Sequence, residues 1–177
     1  MKSSKIIHRE IFEMLYKHHI DVMKLKGIIH AAGPGSYTGV RLSYGMSQIF
    51  EWQGIKSYGF YHFDVPYFFG IKNGCWIARA FKGEIFNYCW ESKKNNISLL
   101  PEKNFFDSYS KGSLNEKESL YTHFPESLDQ SEVMIYSTHQ MIKEKPIFFF
   151  KHIVENNITK KPYYFRTLEK EFKPPKV

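Results

Sequence analysis

The residues of this 177-residue chain with the most chemistry to offer are Gly33, Pro34, Gly35, Ser36, Tyr37, Thr38 and Gly39. They follow an apolar run and precede a stretch of helical periodicity, which places a glycine-rich loop at a helix N-terminus. Backbone N–H groups and the helix dipole converge in such a loop and can hold an anion. No Lys follows Gly39, as a Walker A loop would require, and the glycines are spaced one residue too widely for the dinucleotide fingerprint. Turning the chain is the plainer role. Ser36 and Thr38 are nucleophiles by type, but no His or carboxylate in the sequence stands where it would activate them, so no catalytic residue is assigned.

The other chemistry-bearing side chains are dispersed. The eight histidines lack the spacing of paired ligands, and two cysteines are too few for a four-cysteine zinc site or a disulfide framework. No metal and no cofactor is expected. A hairpin with a two-residue turn at Lys82 and Gly83 puts Cys75 one register step away from Cys89, with the two side chains on opposite faces. Two free thiols are therefore expected.

Composition narrows the class. With 42% hydrophobic and 18% aromatic residues the chain carries too much apolar payload for disorder. Apolar runs such as Ile147 to Phe150 are too short to cross a bilayer, and no signal-peptide stretch follows Met1, so a cytoplasmic protein without membrane contact is expected. The net charge of +7 admits an acidic partner. From Lys151 to Val177 seven Lys or Arg face three Glu, and Lys160, Lys161 and Arg166 are the candidate RNA contacts there, against a plain solvated tail.

The elements that must position these residues read as follows. Ser3 and Ser4 can cap a helix over about 4–19, with Ile7, Ile11 or Phe12, Met14 and Leu15 at helical spacing. Residues 26–32 form a buried strand that enters the loop. The helix after it has Leu42, Met46, Ile49 and Phe50 on one face and stops at Gly54. Gly39, Ser43 and Ser47 make a small-residue stripe beside that face, which lets another helix, the chain's own or a partner's, approach closely. Residues 55–60 give a strand parallel to the first. The hairpin pairs 74–81 with 84–90. Beyond it, 93–96 and 103–117 read as polar connections around a short strand at 97–100, and 132–137 as another strand. Residues 140–156 read as a helix broken at Pro146, with Phe148, Phe149, His152 and Ile153 toward the core. Two parts result, 1–70 and 71–177.

The segment GPGSYTGVR resembles the GPGSFTGLR-like hallmark of the TsaB (YeaZ) family, with Tyr37 and Val40 as variants. The resemblance extends in order through the preceding LKGIIHAA, through a hairpin like the family's DAR-x-GEVY segment at Ala80 to Phe86, and through a terminal P-x-Y-x-R at Pro162, Tyr164 and Arg166. Arg79 and Phe81 stand where that hairpin tends to have Asp and Arg, and residues 93–161 carry almost none of the family's pattern.

The resemblance implies an α/β fold, an incomplete actin-like ATPase (ASKHA, ribonuclease H-like) domain with a parallel or mixed sheet, followed by a diverged C-terminal lobe. It implies a non-catalytic subunit of the bacterial machinery that forms N6-threonylcarbamoyladenosine at position 37 of tRNA. A TsaD-like catalytic subunit is the implied partner, with a TsaE-like ATPase and tRNA reached through the complex and a second copy of the chain as the alternative partner. Ile7, Ile11, Met14, residues 33–39, Arg41, Ser43 and Ser47 are the implied interface. The rival readings are a glycoprotease-like hydrolase and a stand-alone RNA-binding protein. The family opens with strands that this chain does not carry, so the strand at 26–32 is expected to have a bare edge. Of three remedies, a start upstream of Met1 is favoured over a strand lent by another chain and over cover by the C-terminal segment.

Overall fold

The computed structural model describes residues 3–80, 82–91, 94–110, 119–128 and 133–165. The chain opens with α1 (Ser3–Lys17), crosses a short turn of helix at Val22–Lys24, and forms β1 (Gly27–Gly33), α2 (Tyr37–Trp52) and β2 (Lys56–Tyr61). β1 and β2 pair in parallel, as a helical crossover requires. α2 ends where Gly54 takes φ +78 and the Ile55 N–H returns to the Phe50 carbonyl at 3.0 Å.

Alternation along this two-stranded sheet sorts its side chains between two helical layers. Ile28 joins Met46 and Phe50 of α2, Ile11 of α1 and Ile55 in one cluster. On the other face Ile29, Ala31, Tyr58 and Phe60 meet Val65 of α3 (Val65–Phe68) with Phe149 and Ile153 of α6 (Pro146–Glu155). Phe149 and Ile153 are fully buried, each a gain of about 2 kcal/mol. The expected break at Pro146 is present, since α5 (Thr138–Glu144) stops just before it and Pro146 opens α6. Phe148, expected inside, is half exposed.

The second sheet is five-stranded, in the order β5-β4-β3-β6-β7. It comprises β3 (Asn73–Ala80), β4 (Glu84–Glu91), β5 (Lys94–Pro101), β6 (Leu120–Thr122) and β7 (Ile135–Ser137), with β6 and β7 parallel to their neighbours. One face presents Cys75, Ile77 and Ile85 to Phe105 and Phe106 of α4 (Glu102–Ser110). The other presents Trp76, Phe86 and Trp90 to Phe63, in the helical turn at His62–Asp64 that follows β2. Residues 103–110 are thus helical rather than a connection, because Phe105, Phe106 and Tyr109 recur at helical spacing and have a sheet face to cover. Gly112, Ser113, Asn115 and Glu132, also assigned to connections or strand, lie outside the described residues.

The thiol expectation is overturned. Ala80 pairs with Glu84, so three residues and not two separate the strands, and this shift of one step sets Cys75 directly opposite Cys89. Both side chains then point to the same face and are joined at S–S 1.99 Å. A cross-link at a sequence separation of 14 removes about 3 kcal/mol of loop entropy from the unfolded chain. Alkylation in denaturant without reductant should therefore modify neither cysteine. Reduction or Cys75→Ser/Cys89→Ser should lower urea-measured stability by about 2–4 kcal/mol, and full alkylation of the unreduced protein would contradict the pairing.

Candidate functional site

The GPGSYTG loop begins at a cis Gly33–Pro34 bond with Pro34 fully buried. Ser36 is the N-cap of α2. Its hydroxyl accepts the Gly39 N–H at 3.1 Å, and its carbonyl accepts the Val40 N–H at 2.9 Å. A hydroxyl held this way serves the helix start. Arg41 lies over the Tyr37 ring, 5.3 Å from its centroid, and donates to its hydroxyl at 3.4 Å. Thr38 is exposed.

The loop is closed from behind by a segment more than 120 residues downstream. Tyr163 donates its N–H to the Ala32 carbonyl at 2.8 Å, Tyr164 bridges Gly35, and the Tyr164 ring lies 5.2 Å from that of Tyr37. On β2 the Gly59 N–H reaches the Ile158 carbonyl at 3.2 Å, and Lys160 donates to the Gly59 carbonyl at 2.9 Å. Residues 158–164 therefore run along the outer edge of β2 and over the end of β1. Among the described residues no strand lies on the other edge of β1. There the Ala31 carbonyl accepts the Ser43 hydroxyl at 2.9 Å.

Ser43 also sits 3.2 Å from His30 Nδ1, and Ser47, 1% exposed, donates to the Tyr44 carbonyl at 2.7 Å. Ser43 and Ser47 thus turn toward the chain's own sheet, and their small size lets α2 lie close on β1. Ile7 and Ile11 are half-buried and continue to buried Leu15 at four-residue steps, an inward stripe, while Met14 is exposed. What projects from this layer is a different set. Phe12 is 60% and Tyr16 84% exposed on one face of α1, and Ile49 and Trp52, 40% and 83% exposed, are three residues apart on α2. The four-residue step from Phe12 to Tyr16 was the available signal for the first pair, set among the charged residues Arg9, Glu10 and Glu13.

Of the candidate RNA contacts, Lys160 turns inward, 3.6 Å from Asp64 Oδ2 and 5.2 Å over the Tyr61 ring. Lys161 is exposed, and Arg166 lies outside the described residues. A histidine cluster that no spacing in the sequence announces lies at the seam between the sheets. The ring of His62 is 4.5 Å from that of His123, which is 5.3 Å from that of His139. Burial, with His123 adding to it, pushes the His62 imidazole down to about 4, so it is neutral at pH 7. Among the described residues no three His, Cys, Asp or Glu side chains are placed to hold a metal ion.

Glycine is required where the downstream segment touches the sheet. Gly33 has φ +114, and a Cβ there would run into the Tyr163 carbonyl oxygen; at Gly59 it would meet the Lys160 carbonyl oxygen at 2.6 Å. Gly33→Ala and Gly59→Ala should each cost about 2 kcal/mol or more by chemical denaturation. Gly45→Ala, on α2 with nothing within 4 Å, should instead stabilise by about 0.5–1 kcal/mol. Equal effects at all three positions would contradict the close approach.

No family model matches the chain, and no curated protein matches it. Among solved structures it is similar to YeaZ from Pseudomonas aeruginosa, with a TM-score of 0.52 at 12% identity over 89% of this chain and 83% of that one. It is also similar to an uncharacterized protein described as having similarity to peptidase YeaZ from Pseudomonas aeruginosa, with a TM-score of 0.48 at 12% identity over 86% and 81%. At such identity the likeness is one of fold: a mixed α/β chain with parallel and mixed sheets, arranged as in YeaZ.

Proposed function

We propose that the chain is a TsaB-type, non-catalytic subunit built on an actin-like (ASKHA) domain, and that it serves tRNA threonylcarbamoyladenosine formation in the cytoplasm by holding a TsaD-like catalytic subunit. The observation that carries this reading is the apolar outer surface of α1 and α2. Phe12, Tyr16, Ile49 and Trp52 leave large apolar area in water on two helices whose inner faces are already satisfied, and surfaces of that kind mark association sites. Aromatic residues of this size commonly anchor interfaces. The YeaZ-like fold supports the same assignment, and the motifs GPGSYTG and P-x-Y-x-R of the resemblance meet in space at Gly35 and Tyr164.

The hydrolase alternative would need an activated nucleophile. Ser36, the nearest by type, spends its hydroxyl on the helix cap. Candidate interface residues Ser43, Ser47, Ile7 and Ile11 support the helices from within, and replacing them would change stability along with association.

Phe12→Glu/Trp52→Glu, both on exposed positions, should leave the melting temperature of the isolated chain within a few degrees. The same double variant should abolish co-elution with a TsaD-like subunit in size exclusion. Undiminished co-elution of the folded variant would overturn the assignment of this face.

A further inference from the structure

A second feature is independent of the α1–α2 face and lies at the seam between the two sheets. His62 opens the helical turn by which the chain leaves β2, so it belongs to the first sheet. His123, just beyond β6, and His139, in the first turn of α5, belong to the second. That second side is tied together by bonds of its own. The Thr122 carbonyl accepts the buried Thr138 hydroxyl at 3.2 Å, and the His123 carbonyl accepts the Ser137 hydroxyl at 3.1 Å. The ring of His62 reaches across to it. It stands 4.5 Å from the His123 ring and is parallel, within 4°, to the Trp76 indole of β3, with centroids 6.1 Å apart. Its Nδ1 is buried and has no hydrogen-bond partner among the described residues, so the crossing at that nitrogen is made by ring contact alone.

Such a contact holds best while the imidazoles are uncharged. The elements around His62 bring it little negative charge. β2 offers Phe60, edge-on at 5.9 Å, and β3 offers Trp76. From the second side come His123 and, 5.3 Å behind it, His139, with Lys143 one turn further along α5. Two carboxylates stand nearby. Asp64, in the same turn as His62, lies 3.6 Å from Lys160, and Glu126, in the helical turn at Pro125–Ser127, favours the charged form of His123. Burial and then His139 outweigh Glu126 and hold His123 below the ordinary imidazole value, as burial and then His123 hold His62 at about 4. Both groups therefore bind protons more readily when the seam is open. Their contribution to closure is complete above about pH 6.5 and is lost as pH falls toward 4. Asp64 has the opposite sign, since burial raises its carboxyl against the pull of Lys160 and proton uptake there favours the closed form.

We propose that His62, His123 and His139 form an acid-sensitive latch: neutral, they hold the turn after β2 against β6 and α5, and protonated, they release it while each sheet stays folded. The sheets outlast the seam because each has its own tie, residues 158–164 on the first and the Cys75–Cys89 bond in the second. His139 is exposed and gives acid its way in.

The test follows the full isotope-labelled chain by NMR from about pH 7.5 down to about pH 4.5. Two readouts report the latch. One is the cross-relaxation between the ring protons of His62 and His123, and the other is exchange of the Val65 amide, whose N–H the His62 carbonyl accepts. On going from pH 7.5 to pH 5 the ring cross-peak should vanish, and Val65 protection, corrected for intrinsic exchange, should fall by about tenfold or more. The β1–β2 and β3–β4 ladders should stay protected. His62→Phe keeps a ring at the seam and cannot take a proton, so it should retain its Val65 protection at pH 5. His30→Gln, which removes the other histidine that burial pushes down, should leave the acid response as it is. If His62→Phe does not fold, the His62 ring signal of the unaltered chain decides, because it should titrate in step with the loss at Val65. A cross-peak that persists at pH 5, a fall that His62→Phe shares, or loss from both ladders together with the seam would overturn the proposal.

Discussion

The backbone of residues 158–164 approaches the two-stranded sheet so closely that glycine is needed at both points of contact, Gly33 and Gly59. Close approach is what allows the backbone groups of Ala32, Gly59, Ile158, Lys160 and Tyr163 to find partners outside any regular ladder of the sheet. A sheet of only two strands has little stability of its own, and this strap extends it without being a strand. The same contact fixes the loop between β1 and α2, and so the direction in which α2 leaves the sheet. The outer face of α1 and α2 inherits its orientation from there, since Ile11 of α1 packs against the cluster that Met46 and Phe50 form with Ile55.

The strap also sets the seam between the two sheets. After Lys160 it carries Tyr163 and Phe165 onto the aromatic layer of Phe63 and Phe86. Lys160 pairs with Asp64 in the turn that follows β2. One segment therefore touches the loop, the outer edge of β2 and the aromatic layer, so changes at Gly33 or Gly59 should be felt at the seam as well as at the loop.

Much of the first sheet was legible in the sequence because its signals are local. Short apolar runs flanked by glycine and proline give β1, β2 and the hairpin, and Gly54 marks the end of α2 by the conformation it takes. Residues 103–110 misled because their charged and polar members hide three aromatics at helical spacing, which only the apolar face of β3 and β4 that they bury explains. Register was the other failure: one residue in the connection after Ala80 decides whether Cys75 faces Cys89, and turn length is weakly encoded. For the candidate site, the sequence singled out the loop, but the helix expected against the small-residue stripe is not what meets it: Ser43 bonds to β1 and Gly39 is exposed, an outcome that tertiary placement decides. Phe12 reads in the sequence only as an alternative to Ile11 on the apolar face, and Tyr16 and Trp52 carry no signal of their own, because exposure is not a property of sequence.

The central claim is that residues 158–164 are bonded to the first sheet as firmly as β1 and β2 are to each other. Native-state hydrogen exchange at the amides of Gly59, Lys160 and Tyr163 tests it most directly. Protection within about tenfold of that in the β1–β2 ladder would mean that the strap opens only when the sheet does. Exchange at the rate of an unstructured chain at Lys160 and Tyr163, with the β1–β2 ladder still protected, would contradict it.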